Sequence, residues 1–364
     1  MSYVDRLLSP AKAARRMACP GSHAMEAEYI SSNESLSARE GITAHWLAQQ
    51  YLRGNFNVLL TPPGNEEITK EMQDGAELYE YEIRWASKGK DILLHIEEPL
   101  DISNVHLYCS GIPDCWFLDG THLYIYDYKF GHSFVDAFQN WQLLEYAAGI
   151  CQQFEKISQI TMTIIQPRCY VKEGHVRSWT LNVLEFMNVY LPRLQFSEKL
   201  ATEENAEKIP STHCGYCSAR HACTALQQTT NRSIDVIKSY QSYQLDSRQT
   251  AYELKYLKQA KNMIEARLTG LEEQAKAMIM RGEYLPGFKL ESGQGREHWT
   301  KNTEEVIMLG ELMGLNLMKP SEVITPVQAR KIGISEEILA QYSQRVSGKL
   351  KLVENNEAAK VFKK

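Results

Sequence analysis

The stretch Leu123-Tyr124-Ile125-Tyr126-Asp127-Tyr128-Lys129-Phe130-Gly131 most limits what this chain can fold into. Apolar and aromatic residues run up to one acid and one lysine, and a glycine ends the run. That is the pattern of a buried β-strand. Side chains alternate across a strand, so Asp127 and Lys129 point to the same face. An acid and a lysine on an otherwise apolar strand are costly to bury unless the chain uses them. Metal-assisted phosphodiester hydrolysis uses both: the carboxylate holds a divalent cation, and the ammonium orients a water or steadies phosphate charge. Taken alone, an Asp-x-Lys is more simply an edge salt bridge or a solvated strand end.

The neighbouring segments give this strand a setting. Ser9-Pro10 opens a helix that Cys19-Pro20-Gly21 ends. Residues 31–40 are rich in Ser, Asn and Glu and read as a loop, followed by a helix over about 42–53 that carries His45. Residues 66–88 form an amphipathic helix with Met72, Ala76, Tyr79, Ile83 and Ala86 at helical spacing. Strands are expected over 93–97, 105–110, 115–118 and 161–165, with Asp119-Gly120 as a hairpin turn before the Asp127 strand. A helix over about 138–152 lies between the last two strands. The expected fold class is α/β: a mixed sheet with helices against it.

A chain of 364 residues, 43% hydrophobic, is long enough for two or three domains. No run approaches the roughly 18 apolar residues of a membrane span, and the first residues lack the regions of a signal peptide. A cytoplasmic protein without membrane contact is therefore expected. In that setting the eight cysteines read as thiols or metal ligands rather than disulfides. The net charge of -5 is uneven: residues 1–230 are acidic and 231–364 basic. This suggests an acidic metal site in the first part and an interaction surface in the second. It does not exclude DNA, because a local groove matters more than the total charge.

Several further residues could join the Asp127 strand. Gly111-Ile112-Pro113-Asp114 precedes a strand, and the hairpin can bring Asp114 beside Asp127. Gln142 and Tyr146, four apart, share a helix face. His45 stands four after Gly41. Each has an ordinary explanation by itself: a turn aspartate, a satisfied buried glutamine, a structural histidine. The order is the signal. Gly41-x-x-x-His45, Gly111-x-x-Asp114, Asp127-x-Lys129 and Gln142-x-x-x-Tyr146 fall on helix, strand, strand and helix. This resembles the RecB-like branch of the PD-(D/E)XK nuclease superfamily, over about residues 41–146.

The resemblance implies a restriction-endonuclease-like core and a role for each residue. Asp114 and Asp127 bind magnesium or manganese, His45 is an additional ligand, and the Tyr128 carbonyl completes the set. Lys129 positions or activates the attacking water, and Gln142 and Tyr146 support Lys129 and the scissile phosphate. Pro113 stands where a small residue is common in that pattern.

Cys214, Cys217 and Cys223 form a Cys-x2-Cys-x5-Cys group in a polar loop. Three thiolates are one ligand short. His213 or His221 would complete a zinc site; a fourth cysteine, with Cys19 the candidate, would complete a [4Fe–4S] site. A distant N-terminal cysteine plus a compact trio resembles the iron–sulfur staple of RecB-like nucleases, including CRISPR-associated exonucleases. Iron–sulfur is the expectation and zinc the alternative. Cys109, Cys115, Cys151 and Cys169 read as core.

Beyond Cys223, residues 224–235 read as a polar linker, 248–282 as a long helix, 285–291 as a turn and strand, and 303–314 and 335–345 as short helices. The long helix is either packed on the nuclease domain or used for oligomerisation. The expected domains are 1–228, RecB-like with the cluster cysteines; 229–284, helical; and 285–364, a small accessory module. The layout resembles a phage and prophage family of RecB-like proteins long labelled a domain of unknown function. Those genes often sit beside a single-strand annealing protein, an implied second partner besides DNA. The expected activity is a Mg²⁺- or Mn²⁺-dependent DNA exonuclease yielding single-stranded DNA for recombination or repair. The alternatives are a non-catalytic DNA-binding or scaffold protein that keeps the fold and cluster, and a zinc-stapled interaction module.

Overall fold

Alternation carries the 123–128 run into the centre of a sheet, and both faces of that sheet are covered. The computed structural model describes residues 8–29, 36–56, 62–63, 67–87, 92–239 and 244–290. The chain divides into two compact units, Met1–Pro286 and Gly287–Lys364, and every element below belongs to the first.

Five strands form the main sheet: β1 (His95–Ile96), β4 (Cys115–Asp119), β5 (His122–Tyr128), β6 (Gln159–Ile165) and β7 (Val176–Asn182), side by side in that order. The β5–β6 pair is parallel and the other three pairs are antiparallel. A second, two-stranded ribbon joins β2 (Leu100–Asp101) to β3 (Ser110–Gly111). The β4–β5 hairpin closes with Asp119 opposite His122, and Gly120 supplies the turn's left-handed residue at φ 60°.

The parallel pair needs a crossover, and α5 (Trp141–Gln153) provides it. It packs Leu143, Leu144 and Ala147 against the β5 face that holds Leu123 and Ile125. Tyr126 and Tyr128 point the other way, into a core shared with α3 (Leu36–Leu52) and α4 (Lys70–Ser87). Both faces are thus buried, which is why the run is apolar nearly throughout. Contact is tightest at Gly75 on α4, where an added Cβ would lie 2.4 Å from the Tyr128 hydroxyl.

Helices α1 (Ala13–Ala18) and α7 (Leu191–Ala201) meet α5 around one buried cation. Arg16, 1% exposed, donates from Nε to Glu198 Oε2 at 2.5 Å and from Nη2 to Glu145 Oε1 at 3.2 Å. Its Nη1 donates to the Ser9 carbonyl at 2.8 Å, and Cys109 Sγ lies 3.5 Å from Glu145 Oε2.

The structure departs from the sequence reading at four places. The expected loop 31–40 is helical from Leu36, where α3 begins. Of residues 105–110 only Ser110 enters a strand, as the first residue of β3. Asp101 instead accepts bonds from the Ser103 backbone and hydroxyl, folding 102–108 into turns before β3. The expected linker 224–235 lies in helix α8 (Thr224–Ser239), whose Thr229, Thr230 and Ser233 hydroxyls donate back to carbonyls one turn earlier. Leu226, Thr230 and Ser233 are its buried stripe, so small hydroxyl residues do the packing that the reading sought in apolar ones.

At 285–290 a turn forms but no strand among the described residues. The long helix is α9 (Ser247–Met280), started by a capping box. Asp246 accepts from the Arg248 and Gln249 backbones at 2.8 Å each, and Gln249 Oε1 accepts from the Asp246 backbone at 3.1 Å. The helices expected at 303–314 and 335–345 lie outside the described residues. Among those residues no helix is long and apolar enough to cross a membrane.

Candidate active site

The β4–β5 register sets Cys115 opposite Tyr126, which brings Asp114 to the end of β5. Asp114 Oδ2 accepts the Tyr128 backbone N–H at 2.6 Å. On the far side of the sheet, α3 places His45 Nδ1 3.5 Å from the same oxygen. The His45 ring also meets the Tyr128 ring edge-on, with centroids 5.3 Å apart. The Tyr128 side chain is thus spent in the core, and only its backbone is available to the site.

Asp127 and Lys129 point toward α5, as alternation requires. Lys129 Nζ donates to Asp127 Oδ1 at 3.1 Å and to Gln142 Oε1 at 3.0 Å, and it lies 2.9 Å from Asp127 Oδ2. Gln142 Nε2 donates to Asp127 Oδ1 at 2.9 Å and lies 3.4 Å from the Tyr146 hydroxyl. Tyr146 in turn donates to the Ile112 carbonyl at 3.1 Å, tying α5 to the loop before Asp114. All six side chains singled out by the motifs therefore meet at one end of the sheet. Gly41, by contrast, has open space around it, so packing does not demand a glycine there.

One residue escaped the sequence reading. Glu97 follows β1, which pairs with β4 so that Ile96 stands opposite Cys115. Its backbone is left-handed at φ 52°, and its N–H donates to the Asp114 carbonyl at 3.2 Å. The ligand atoms of His45, Glu97 and Asp114 all lie within 4.8 Å of one another. The one sequence signal for Glu97 is that it ends a short apolar run, as Asp127 does, but nothing local fixes how β1 pairs. A left-handed glutamate is strained, and such strain gathers at functional sites.

The electrostatics separate the three carboxyls. Burial raises Glu97 to about 7, with Asp114 adding to the rise. Burial also lifts Asp127 to about 6, against the pull of Lys129. Asp114 pays the same desolvation, but His45, Lys129 and the Tyr128 N–H outweigh it and hold the carboxyl below its usual range. Lys129 is held above its usual value despite burial, because Asp127 and Asp114 favour the ammonium. In this arrangement it stays charged at neutral pH and donates to both Asp127 and Gln142.

These residues fit a divalent cation. Asp127 is 1% exposed, and its Oδ2 receives no well-directed donor, since the Lys129 hydrogen bond goes to Oδ1. A buried carboxylate oxygen without a directed donor and two more carboxylates are the hard oxygen donors that Mg²⁺ and Mn²⁺ take, and the His45 imidazole, a borderline nitrogen donor, suits Mn²⁺ better than Mg²⁺.

The cysteines gather elsewhere. Cys19, at the end of α1, lines one cavity with Cys214, Cys217 and Cys223. Backbone N–H groups of Ile209, Ser211 and Leu226 donate to the sulfurs of Cys19, Cys214 and Cys223 at 3.3, 3.4 and 3.5 Å. Amides aimed at sulfur suit thiolates. Among the described residues no three of these sulfurs lie within 4.8 Å of one another. A tetrahedral zinc ion, with Zn–S of about 2.3 Å, would draw them to about 3.8 Å. His213 also lines the cavity, but Cys19 supplies the fourth thiol without it.

A mixed α/β frame with acids, a lysine and a histidine converging at one sheet end defines the class. The chain belongs to the family described as Protein of unknown function (DUF2800), which it matches over residues 6–360. Among solved structures, an alkaline exonuclease (LHK-Exo) from Laribacter hongkongensis aligns over 54% of this chain and 90% of its own. The identity is 12% and the TM-score 0.25, a likeness too slight to define the fold.

Proposed function

We propose that this chain is a divalent-metal-dependent deoxyribonuclease that digests linear DNA from its ends. The observation that carries the reading is the Asp127 carboxylate. It is buried and held by Lys129 and Gln142, and its Oδ2, 2.9 Å from Lys129 Nζ, takes no well-directed hydrogen bond; His45, Glu97 and Asp114 form a separate ligand group at the same sheet end. His45, Glu97, Asp114, Asp127 and the Tyr128 carbonyl are the groups that would hold Mg²⁺ or Mn²⁺. Once bound, the cation polarises a phosphate and lowers the pKa of a water.

The chain's own groups do the rest. Lys129 spends two of its three N–H bonds on Asp127 and Gln142 and keeps one for a phosphate oxygen or the attacking water. Burial lifts Glu97 to about 7 without metal, so it must give up a proton near neutral pH before it can ligate the cation. Gln142 and Tyr146 fix Lys129 against α5. The four-cysteine cavity is read as a [4Fe–4S] site that fastens residue 19 to residues 214–223. The support is its four thiols and the backbone amides on three sulfurs.

The test is digestion of end-labelled linear and circular duplexes with Mg²⁺, Mn²⁺ or EDTA. Linear DNA should shorten only with metal, and Asp127→Ala and Lys129→Ala should each lower the rate by at least about a hundredfold, as loss of a fixed charge at a reacting centre does. Undiminished digestion by either variant would sink the assignment. Metal-independent binding without turnover would leave the scaffold reading.

A further inference from the structure

Beside the reacting centre lies a concavity of about 540 Å³ that the chemistry above does not use. Lys129 and Gln142 form part of its lining, so whatever lies in it is continuous with Asp127. The rest comes from residues 134–142, from the start of the N-terminal helix and from the cysteine turn at His213–Tyr216. We propose that this groove seats single-stranded DNA by stacking its bases, with Tyr216 and Phe134 as the stacking platforms. The proposal rests on the nuclease reading for the identity of the nucleic acid.

Three observations converge. First, the aromatic rings are presented and not buried: Tyr216 is 73% exposed and Phe134 46%. Ring faces in a groove are what unpaired bases take, whatever their sequence. Second, cations accompany the rings. Arg193 lies 4.8 Å from the centroid of Trp141, in the first turn of α5. The buried Arg177 spends its N–H groups on Val135, Gly174 and Gln166 and backs one face of the Phe134 ring, 4.9 Å from its centroid. Arg15 and Lys129 belong to the lining with one acid, Asp136, and are paired with Glu26 and Asp127. The neighbouring concavity, which holds His45, Glu97 and Asp114, is acidic. Of the two, the Lys129 side is the better bed for a polyanion, and the other needs a cation. Third, Gln139 in the groove is left-handed at φ 51° although it is not glycine. That strain sits immediately before the Asn140 cap of α5, where backbone geometry sets the angle of the first turn.

The occupant is a single strand and not a duplex on two grounds. The volume falls within the roughly 300–1,000 Å³ of small-molecule pockets, room for a nucleotide or two. Stacking also needs bases freed from their partners. His213 lines both this groove and the four-cysteine cavity, so the cysteine turn shapes the groove as well.

The test measures binding without cleavage. Fluorescein-labelled oligothymidylate of about 15 nucleotides is titrated with the full chain in EDTA and read by anisotropy, beside a blunt duplex and an oligouridylate of equal length. Tyr216→Ala and Phe134→Ala should each weaken oligothymidylate binding about tenfold, one stacked base at about 1.4 kcal/mol. Tyr216→Phe and Phe134→Tyr should stay within about twofold, and the duplex should bind more weakly and ignore all four variants. Both residues are exposed, and circular dichroism confirms that the variants fold.

Alanine variants that bind oligothymidylate like the parent overturn the proposal. So do variants that lose duplex and single strand equally, or a chain that prefers oligouridylate. Because the assay contains no metal, it fails separately from the nuclease reading. Tyr216-dependent binding without digestion in Mg²⁺ or Mn²⁺ rejects the activity, and digestion without Tyr216-dependent binding rejects the groove.

Discussion

Replacing Glu145 with glutamine should make the protein more stable, and more so as pH rises. Arg16 brings one positive charge to two buried carboxyls, Glu145 and Glu198, both fully enclosed. Burial raises Glu145 from its ordinary 4.5 to about 8; Arg16 opposes the rise and Glu198 reinforces it. The folded protein therefore keeps a proton on Glu145 that the unfolded chain gives up above about pH 4.5. Where the folded state binds more protons, stability falls as pH rises.

The contribution is fully present below pH 4.5 and is lost progressively until about pH 8. At about 1.4 kcal/mol per pH unit, that window sets a ceiling of about 5 kcal/mol. Glutamine keeps the amide oxygen for Arg16 Nη2 and has no proton to lose. Urea unfolding followed by tryptophan fluorescence, at intervals from pH 4.5 to 8.5, gives the difference between the two proteins. Groups away from Arg16 cancel, Glu198 shares the coupling, and the gap should widen with pH in favour of Glu145→Gln, within that ceiling. Parallel curves across that range would refute the reasoning.

Glu97→Gln should raise the Mg²⁺ concentration needed for half-maximal digestion by about tenfold or more, and a metal titration of the rate checks it. It should also weaken the rise of activity with pH near 7, since Glu97, lifted to about 7 without metal, must lose its proton before it can ligate the cation. Anaerobically purified protein should be brown with a broad absorbance near about 400 nm from thiolate-bound iron, and Cys217→Ser should bleach it. Colourless protein with one zinc per chain would refute the cluster.

Much of the site was legible because strand alternation and helical spacing are rigid rules. Two residues on along β5, Lys129 had to share Asp127's face, and Gln142 and Tyr146 had to share one of α5. The hairpin fixed where Asp114 would fall. Glu97 was not legible, because its place depends on the pairing of β1 with β4 and on a left-handed backbone. Nor was α8: its threonines and serine satisfy their hydroxyls on the helix's own carbonyls, which composition alone reads as a loop. The turns at 102–108 depend on a local Asp101 bond that competes with strand pairing. The groove walled by Tyr216 and Phe134 needs segments some eighty residues apart to meet, and no local pattern announces that.

The seam at the four-cysteine cavity has a consequence for synthesis. The Gly21 backbone N–H donates to the Glu207 carbonyl at 2.7 Å, Ile209 donates to the Cys19 sulfur at 3.3 Å, and the Ser218 backbone donates to Glu26 at 3.3 Å. These contacts form only after about 190 further residues have been made, and contacts of such long range form slowly. Until then the N-terminal helices have earlier partners such as Glu145 for Arg16, but not the cysteine turn. A ribosome that stalls before residue 207 releases a chain with its catalytic sheet residues present but its seam unsewn. Residues 19–26 and 207–218 close the unit together, and neither segment is fully partnered without the other.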